Sequence, residues 1–66
     1  MPNIINQVKK YREQRGLTQE QLGEAVRVSR QTIVAMEKGN YEPSLGLAIN
    51  LAKFFNVPIE EIFTLK

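Results

Sequence analysis

Residues 16–45, GLTQEQLGEAVRVSRQTIVAMEKGNYEPSL, decide the fold. Thr18 opens an apolar-periodic run and Gln21 follows three residues later. In this T-x-x-Q arrangement, hydroxyl and amide side chains each accept a hydrogen bond from the other residue's backbone N–H. A helix is therefore predicted from Thr18, with Leu22, Ala25 and Val26 turned inward. Ser29 is the next capping residue, so a second helix starts only two or three residues later, after Arg27-Val28-Ser29. Helical periodicity puts Ile33, Met36 and Glu37 on one side of that second helix and Arg30, Gln31, Val34, Ala35 and Lys38 on the other. The outer side is unusually short of charge for a solvated face.

Working outward, Gly16 is a left-handed stop for a preceding helix that is expected to run from near Asn3 to about Arg15. Ile4 or Ile5, Val8 and Tyr11 share its apolar face and the other face is basic. On the carboxyl side, Gly39-Asn40-Tyr41-Glu42-Pro43-Ser44 is a loop, and Ser44 starts a helix carrying Leu47, Ala48, Leu51, Ala52 and Phe55 as a broad apolar stripe. Asn56 can end it. Pro58 supplies a preset φ for a last short helix, where Glu60 and Glu61 favour the amino-terminal dipole and Ile59, Ile62 and Phe63 turn inward. No stretch shows the alternation of a strand. The expected fold is all-α: a single five-helix domain over residues 1–66.

Composition narrows the function classes. The chain has 66 residues, no cysteine and no histidine, so neither a disulfide nor a Cys/His zinc site can staple its small core. A chain of this size buries only about 60% of its unfolded surface, which leaves helix packing or dimerisation to stabilise it. The usual catalytic combinations are missing, and Glu60-Glu61 is the only paired carboxylate. The expectation is a non-enzyme with no cofactor and no metal. The longest apolar runs fall far short of a membrane span, and the amino-terminal MPNIINQVKK lacks the apolar stretch of a secretory signal, so a cytoplasmic location is expected. Net charge is only +2, but residues 1–16 carry +3 while residues 40–66 carry −1.

A connection of two or three residues between two helices is that of a helix-turn-helix. Such a crossing can lay one helix over a phosphate backbone while the next enters the major groove by its first turn. The sequence resembles the lambda-repressor-like, Cro-type regulators, also called the xenobiotic-response-element family. The likeness covers nearly the whole chain: GLTQEQL at 16–22, VSRQTIVAMEKGNYEPSL at 28–45, LA at 51–52 and VPIEEIF at 57–63. It implies a five-helix domain of bacteria or their phages that binds double-stranded DNA with a recognition helix at about 29–38, commonly as a dimeric repressor or autoregulator.

Carried over by residue, the resemblance makes Gln19 a phosphate contact that braces the recognition helix, and Arg30 and Gln31 readers of base edges. The chemistry agrees, since arginine pairs bidentately with guanine and glutamine with adenine. Arg30 also suits a phosphate. Val34 and Ala35 can meet thymine methyl groups. Lys38, Asn40 and Tyr41 match positions that touch flanking phosphates, contacts that position without specifying. Arg12 and Glu37 match an ion pair between the first and third helices, with a spare Arg12 donor for phosphate. Two departures stand out. Gly23 replaces the usual alanine, and Arg27 replaces a common turn glycine, where a positive φ would be strained.

Two further expectations concern partners. Phe54 and Phe55 cannot both point into one narrow helix face, so Phe54, Phe63 and Leu65 are candidate anchors of a twofold homodimer on a palindromic operator. The alternative is a protein-interaction module, such as an antitoxin-like partner or an antagonist of another regulator. Large apolar anchors on the outer face of the third helix would favour it, and that face has none.

Overall fold

The computed structural model describes residues 4–66. Five helices follow in chain order: α1 (Val8–Gln14), α2 (Gln19–Val26), α3 (Arg30–Glu37), α4 (Leu45–Phe55) and α5 (Ile59–Ile62). They are flanked by two short strands, β1 (Ile4–Asn6) and β2 (Phe63–Leu65), paired antiparallel with Ile5 opposite Thr64. The helical architecture agrees with expectation.

The strands are a correction to the sequence reading. Asn3 lies outside the described residues, and α1 begins at Val8, with Ile4 and Ile5 in β1. The helix is stopped from extending backwards by two polar links. The Asn6 side-chain oxygen accepts from the Val8 N–H at 3.1 Å, and the Gln7 N–H donates to the Ile62 carbonyl at 2.8 Å. Asn6 also donates its amide to the Met36 carbonyl at 2.9 Å, tying the start of α1 to the end of α3. Phe63, expected to continue the last helix, opens β2 opposite Asn6.

The capping signals act as their chemistry requires. The Thr18 hydroxyl accepts from the Gln21 N–H at 3.0 Å while the Gln21 side chain accepts from the Thr18 N–H at 2.9 Å. Ser29 and Ser44 accept from Thr32 and Leu47 in the same way. Each such cap contributes on the order of 1 kcal/mol. Asn56 closes α4 in the left-handed region at φ 59°.

The core is one cluster: Val8, Leu22, Val26, Ile33, Met36, Leu47, Leu51, Ala52, Phe55 and Ile62. The stripe expected on α4 is buried throughout. In α2 the inward residues are Leu22, Gly23 and Val26; Ala25, expected inside, is exposed. The reason lies in the turn. Arg27 sits at φ 65°, ψ 43°, and Val28 N–H reaches back to the Gly23 carbonyl at 2.9 Å, bringing the chain down onto α2. A Cβ on residue 23 would lie 2.7 Å from the Val28 carbonyl oxygen, so glycine is what lets α2 and the turn approach this closely.

Candidate nucleic-acid interface

The first turn of α3 is held open toward solvent. Ser29 caps the helix and its hydroxyl also lies 3.0 Å from the Thr32 hydroxyl, fixing the backbone that carries Arg30 and Gln31. Both of those side chains are exposed. Val34 and Ala35, one turn on, are half-buried, so their methyl groups form the floor of the same face. Lys38 follows at the helix end, exposed. Gly39 then turns left-handed at φ 82°, and the Asn40 N–H bonds to the Ala35 carbonyl at 2.9 Å. This closure carries the exposed Asn40 and Tyr41 into the loop beyond α3.

At the edge of the same face, beside Val34 and Lys38, Glu37 is the centre of a hydrogen-bond network. Arg12 donates Nε to Glu37 Oε2 at 2.7 Å and Nη2 to Oε1 at 3.2 Å, a fork on a carboxylate. Its remaining nitrogen, Nη1, donates to the Leu17 carbonyl at 2.7 Å. Gln19 Nε2 donates to Glu37 Oε1 at 3.1 Å. The Arg12 and Glu37 side chains are 11% and 5% exposed, so the pair is desolvated and clamps α1, α2 and α3 together. The hydrogen bond to Glu37 holds the Arg12 guanidinium pKa above its ordinary value; burial opposes this, and the charges of Glu37 and Glu13 add to it.

One groove gathers several of the residues singled out in the sequence. Lys9, Arg12, Thr18, Gln19, Val34, Glu37 and Lys38 line it, where the start of α2 meets the outer side of α3. Three nitrogen-bearing side chains expected at phosphates, Arg12, Gln19 and Lys38, thus share one cleft, and Lys9 joins them. Gln19 is anchored through one N–H to Glu37, which leaves its other N–H for a ligand. Arg30, Gln31, Asn40 and Tyr41 lie outside this cleft.

Two polar side chains with structural roles escaped the sequence reading. Asn6 is one: its side-chain oxygen takes the N–H of Val8 two residues on, a local turn of the kind asparagine favours. Arg15 is the other. It donates to the Phe55 carbonyl at 2.9 Å, at the carboxyl end of α4, with its guanidinium 5.7 Å from the Phe54 ring and 5.8 Å from that of Phe55. Nothing local in the sequence marks so distant a contact. Phe54 meets Phe55 edge-on at 5.2 Å between ring centres. Phe54 and Phe63 are both half-buried against the core of their own chain, whereas Leu65 is 82% exposed. Among the described residues there is no cluster of metal-ligating side chains and no helix long and apolar enough to cross a membrane.

Comparison with known proteins bears on the same elements. A helix-turn-helix family model matches residues 8–62, from the start of α1 to the end of α5. An HTH-type transcriptional regulator of Methanocaldococcus jannaschii is 59% identical over 58 residues, covering 88% of each chain. The RstR transcriptional repressor of the cryptic phage CTXphi in Vibrio cholerae is 37% identical over 57 residues, which span 86% of this chain and 51% of that longer protein. The fold is shared with a crystal structure of a protein from Bacteroides fragilis described as DNA-binding, at TM-score 0.81 and 23% identity, covering 92% and 98% of the two chains. With α2, the left-handed turn and α3 arranged as above, the chain belongs to the lambda-repressor-like helix-turn-helix family of DNA-binding transcriptional regulators.

Proposed function

We propose that the protein is a sequence-specific repressor or autoregulator that binds a palindromic operator as a homodimer, each subunit placing residues 29–38 in the major groove. The observation that carries this reading is the open face of α3 beside a braced edge. Glu37 at that edge is held by Arg12 and Gln19, while Arg30 and Gln31 stand free above an apolar floor of Val34 and Ala35. In the groove Gln31 pairs with adenine N6 and N7, Arg30 with guanine O6 and N7, and the two small side chains meet thymine methyl groups. Gln19, Arg12, Lys38, Asn40 and Tyr41 hold the flanking phosphates and fix the register. The role of RstR as a phage repressor supports the sign of regulation, and the cytoplasm is where such a regulator meets its operator.

A partner-binding module would need large apolar anchors on the exposed side of α3. That side offers two small aliphatic residues instead. The test is selection of bound sequences from a pool of randomised duplex DNA. Enrichment of an inverted repeat with half-sites about one helical turn, roughly 34 Å, apart is the expected result. Recovery of unenriched DNA would overturn the reading.

A further inference from the structure

The end of α3 is closed by main-chain bonds that aim the loop beyond it. The Gly39 N–H donates to the Met36 carbonyl at 3.0 Å and the Asn40 N–H to the Ala35 carbonyl at 2.9 Å. With Gly39 left-handed at φ 82°, this is a Schellman closure, which turns the chain sharply off the helix and sets the direction in which Asn40 and Tyr41 depart. Packing adds little support here. A Cβ on Gly39 would meet nothing within 4 Å, and Asn40, Tyr41 and Glu42 are all exposed.

One side chain enters this closure from the far end of the sequence. Asn6 Nδ2 donates to the Met36 carbonyl at 2.9 Å, the same oxygen that accepts from Gly39, so both lone pairs of that carbonyl are used. Asn6 Oδ1 accepts from the Val8 N–H at 3.1 Å, and the two partners together fix which way round the amide sits. The main chain of Asn6 is itself held, by pairing with Phe63 and, one residue on, by the Gln7 N–H on the Ile62 carbonyl at 2.8 Å. The Arg12 clamp reaches α3 through the side chain of Glu37. Asn6 reaches it one residue earlier and through the main chain, where the exit of the loop is decided.

We propose that Asn6 is a positioning residue of the DNA interface: by holding the Met36 carbonyl it fixes the closure of α3, and with it the placement of Asn40 and Tyr41 on flanking phosphates. This inference rests on the DNA-binding reading above. The carboxamide is suited to the task because it joins an acceptor for Val8 to a donor for Met36. Aspartate would take the Val8 N–H equally well but turn an oxygen on the Met36 carbonyl. Since phosphate contacts position without specifying, loss of the tie weakens binding to every duplex alike.

The test uses variants of the full chain at a temperature where circular dichroism shows each to be folded. Asn6→Ser removes the tie and keeps the local turn, since a hydroxyl can take the Val8 N–H. Asn6→Asp keeps the shape and reverses the tie. Ala48→Gly, in the buried stripe of α4, is a control that lowers stability through another element. Amide hydrogen exchange of the free protein is expected to quicken about threefold to tenfold at Gly39 and Asn40 in both Asn6 variants, beyond any change in α4, with no such local excess in the control. Binding of Asn6→Ser to the selected duplex and to random duplex is expected to weaken by a similar factor, with their ratio unchanged. In a chain already carrying Asn40→Ala/Tyr41→Phe, Asn6→Ser is expected to cause no further loss, because the contacts it places are gone. Exchange at Gly39 and Asn40 that merely follows the rest of the chain, binding equal to wild type, or a full additional loss in the triple variant would each overturn the proposal. Exchange is read without DNA, so local quickening in a protein that binds no duplex refutes the DNA reading while the tie from Asn6 to the closure stands.

Discussion

Replacing Glu37 by alanine removes the acceptor of three hydrogen bonds at once, from Arg12 Nε, Arg12 Nη2 and Gln19 Nε2. It leaves a guanidinium that is 11% exposed with only the solvated Glu13 carboxylate, 4.0 Å away, as counter-charge. Breaking a buried pair by deleting one member costs about 3 to 5 kcal/mol. A domain of this length has a total stability of roughly 3 to 10 kcal/mol, so Glu37→Ala is expected to remove between a third and all of it. The corresponding fall in Tm is about 12 °C or more. Urea titration followed by far-ultraviolet circular dichroism, at one fixed protein concentration, reads the loss as a shift in midpoint at constant slope. The double replacement Arg12→Met/Glu37→Leu is expected to recover most of the loss, because an apolar pair of similar volume does not strand a charge. The Arg12 share needs no pH correction. Its pKa is raised on folding, so its contribution is complete below the ordinary arginine value and is lost only in stronger alkali. A Glu37→Ala midpoint within about 1 kcal/mol of wild type, or a double variant no better than the single one, would refute the clamp.

Other substitutions probe the turn and the interface. Gly23→Ala gains up to about 1 kcal/mol in helix propensity, yet its methyl would lie 2.7 Å from the Val28 carbonyl oxygen, so a lower melting temperature is expected. Gln31→Ala is expected to weaken operator binding by about 1 to 3 kcal/mol while sparing random duplex, as read by competition titration; equal losses on both would reassign it to positioning. Lys38→Gln is expected to weaken binding to every duplex alike and to lower the salt slope by about one, checked by titrations at several salt concentrations. Arg15→Ala removes the cap on the Phe55 carbonyl and is expected to lower thermal stability without changing base preference.

What was legible in the sequence was local. Thr18, Ser29, Ser44 and Asn56 act on backbone groups a few residues away, so each announces its helix end without knowledge of the rest. The two strands were not legible because three residues are too few to show alternation, and each exists only through its pairing with the other. Ala25 was misplaced because a hydrophobic pattern does not register glycine; Gly23 occupies the inward position and rotates Ala25 out. The doubt over Arg27 had a physical basis, and the residue does take the left-handed conformation. At the interface, residue identity and helical phase separated Glu37 from Gln31. They did not reveal that the bracing expected of Gln19 runs through Glu37, which depends on how α2 meets α3, nor that Lys9 shares its cleft, which depends on where α1 comes to rest.

The pairing of Ile4–Asn6 with Phe63–Leu65 closes a loop around all five helices. Loop-closure entropy rises only with the logarithm of length, and helices already packed bring the two segments together, so the clasp is cheapest to form last. During synthesis β1 therefore emerges before any helix and has nothing to pair with until Leu65 has left the ribosome. A strand of only three residues is a poor template for a stray neighbour, which makes the wait tolerable. The segment made before the helices is thus expected to be seated only after them, so that the order of translation and the order of folding run in opposite directions at this one place.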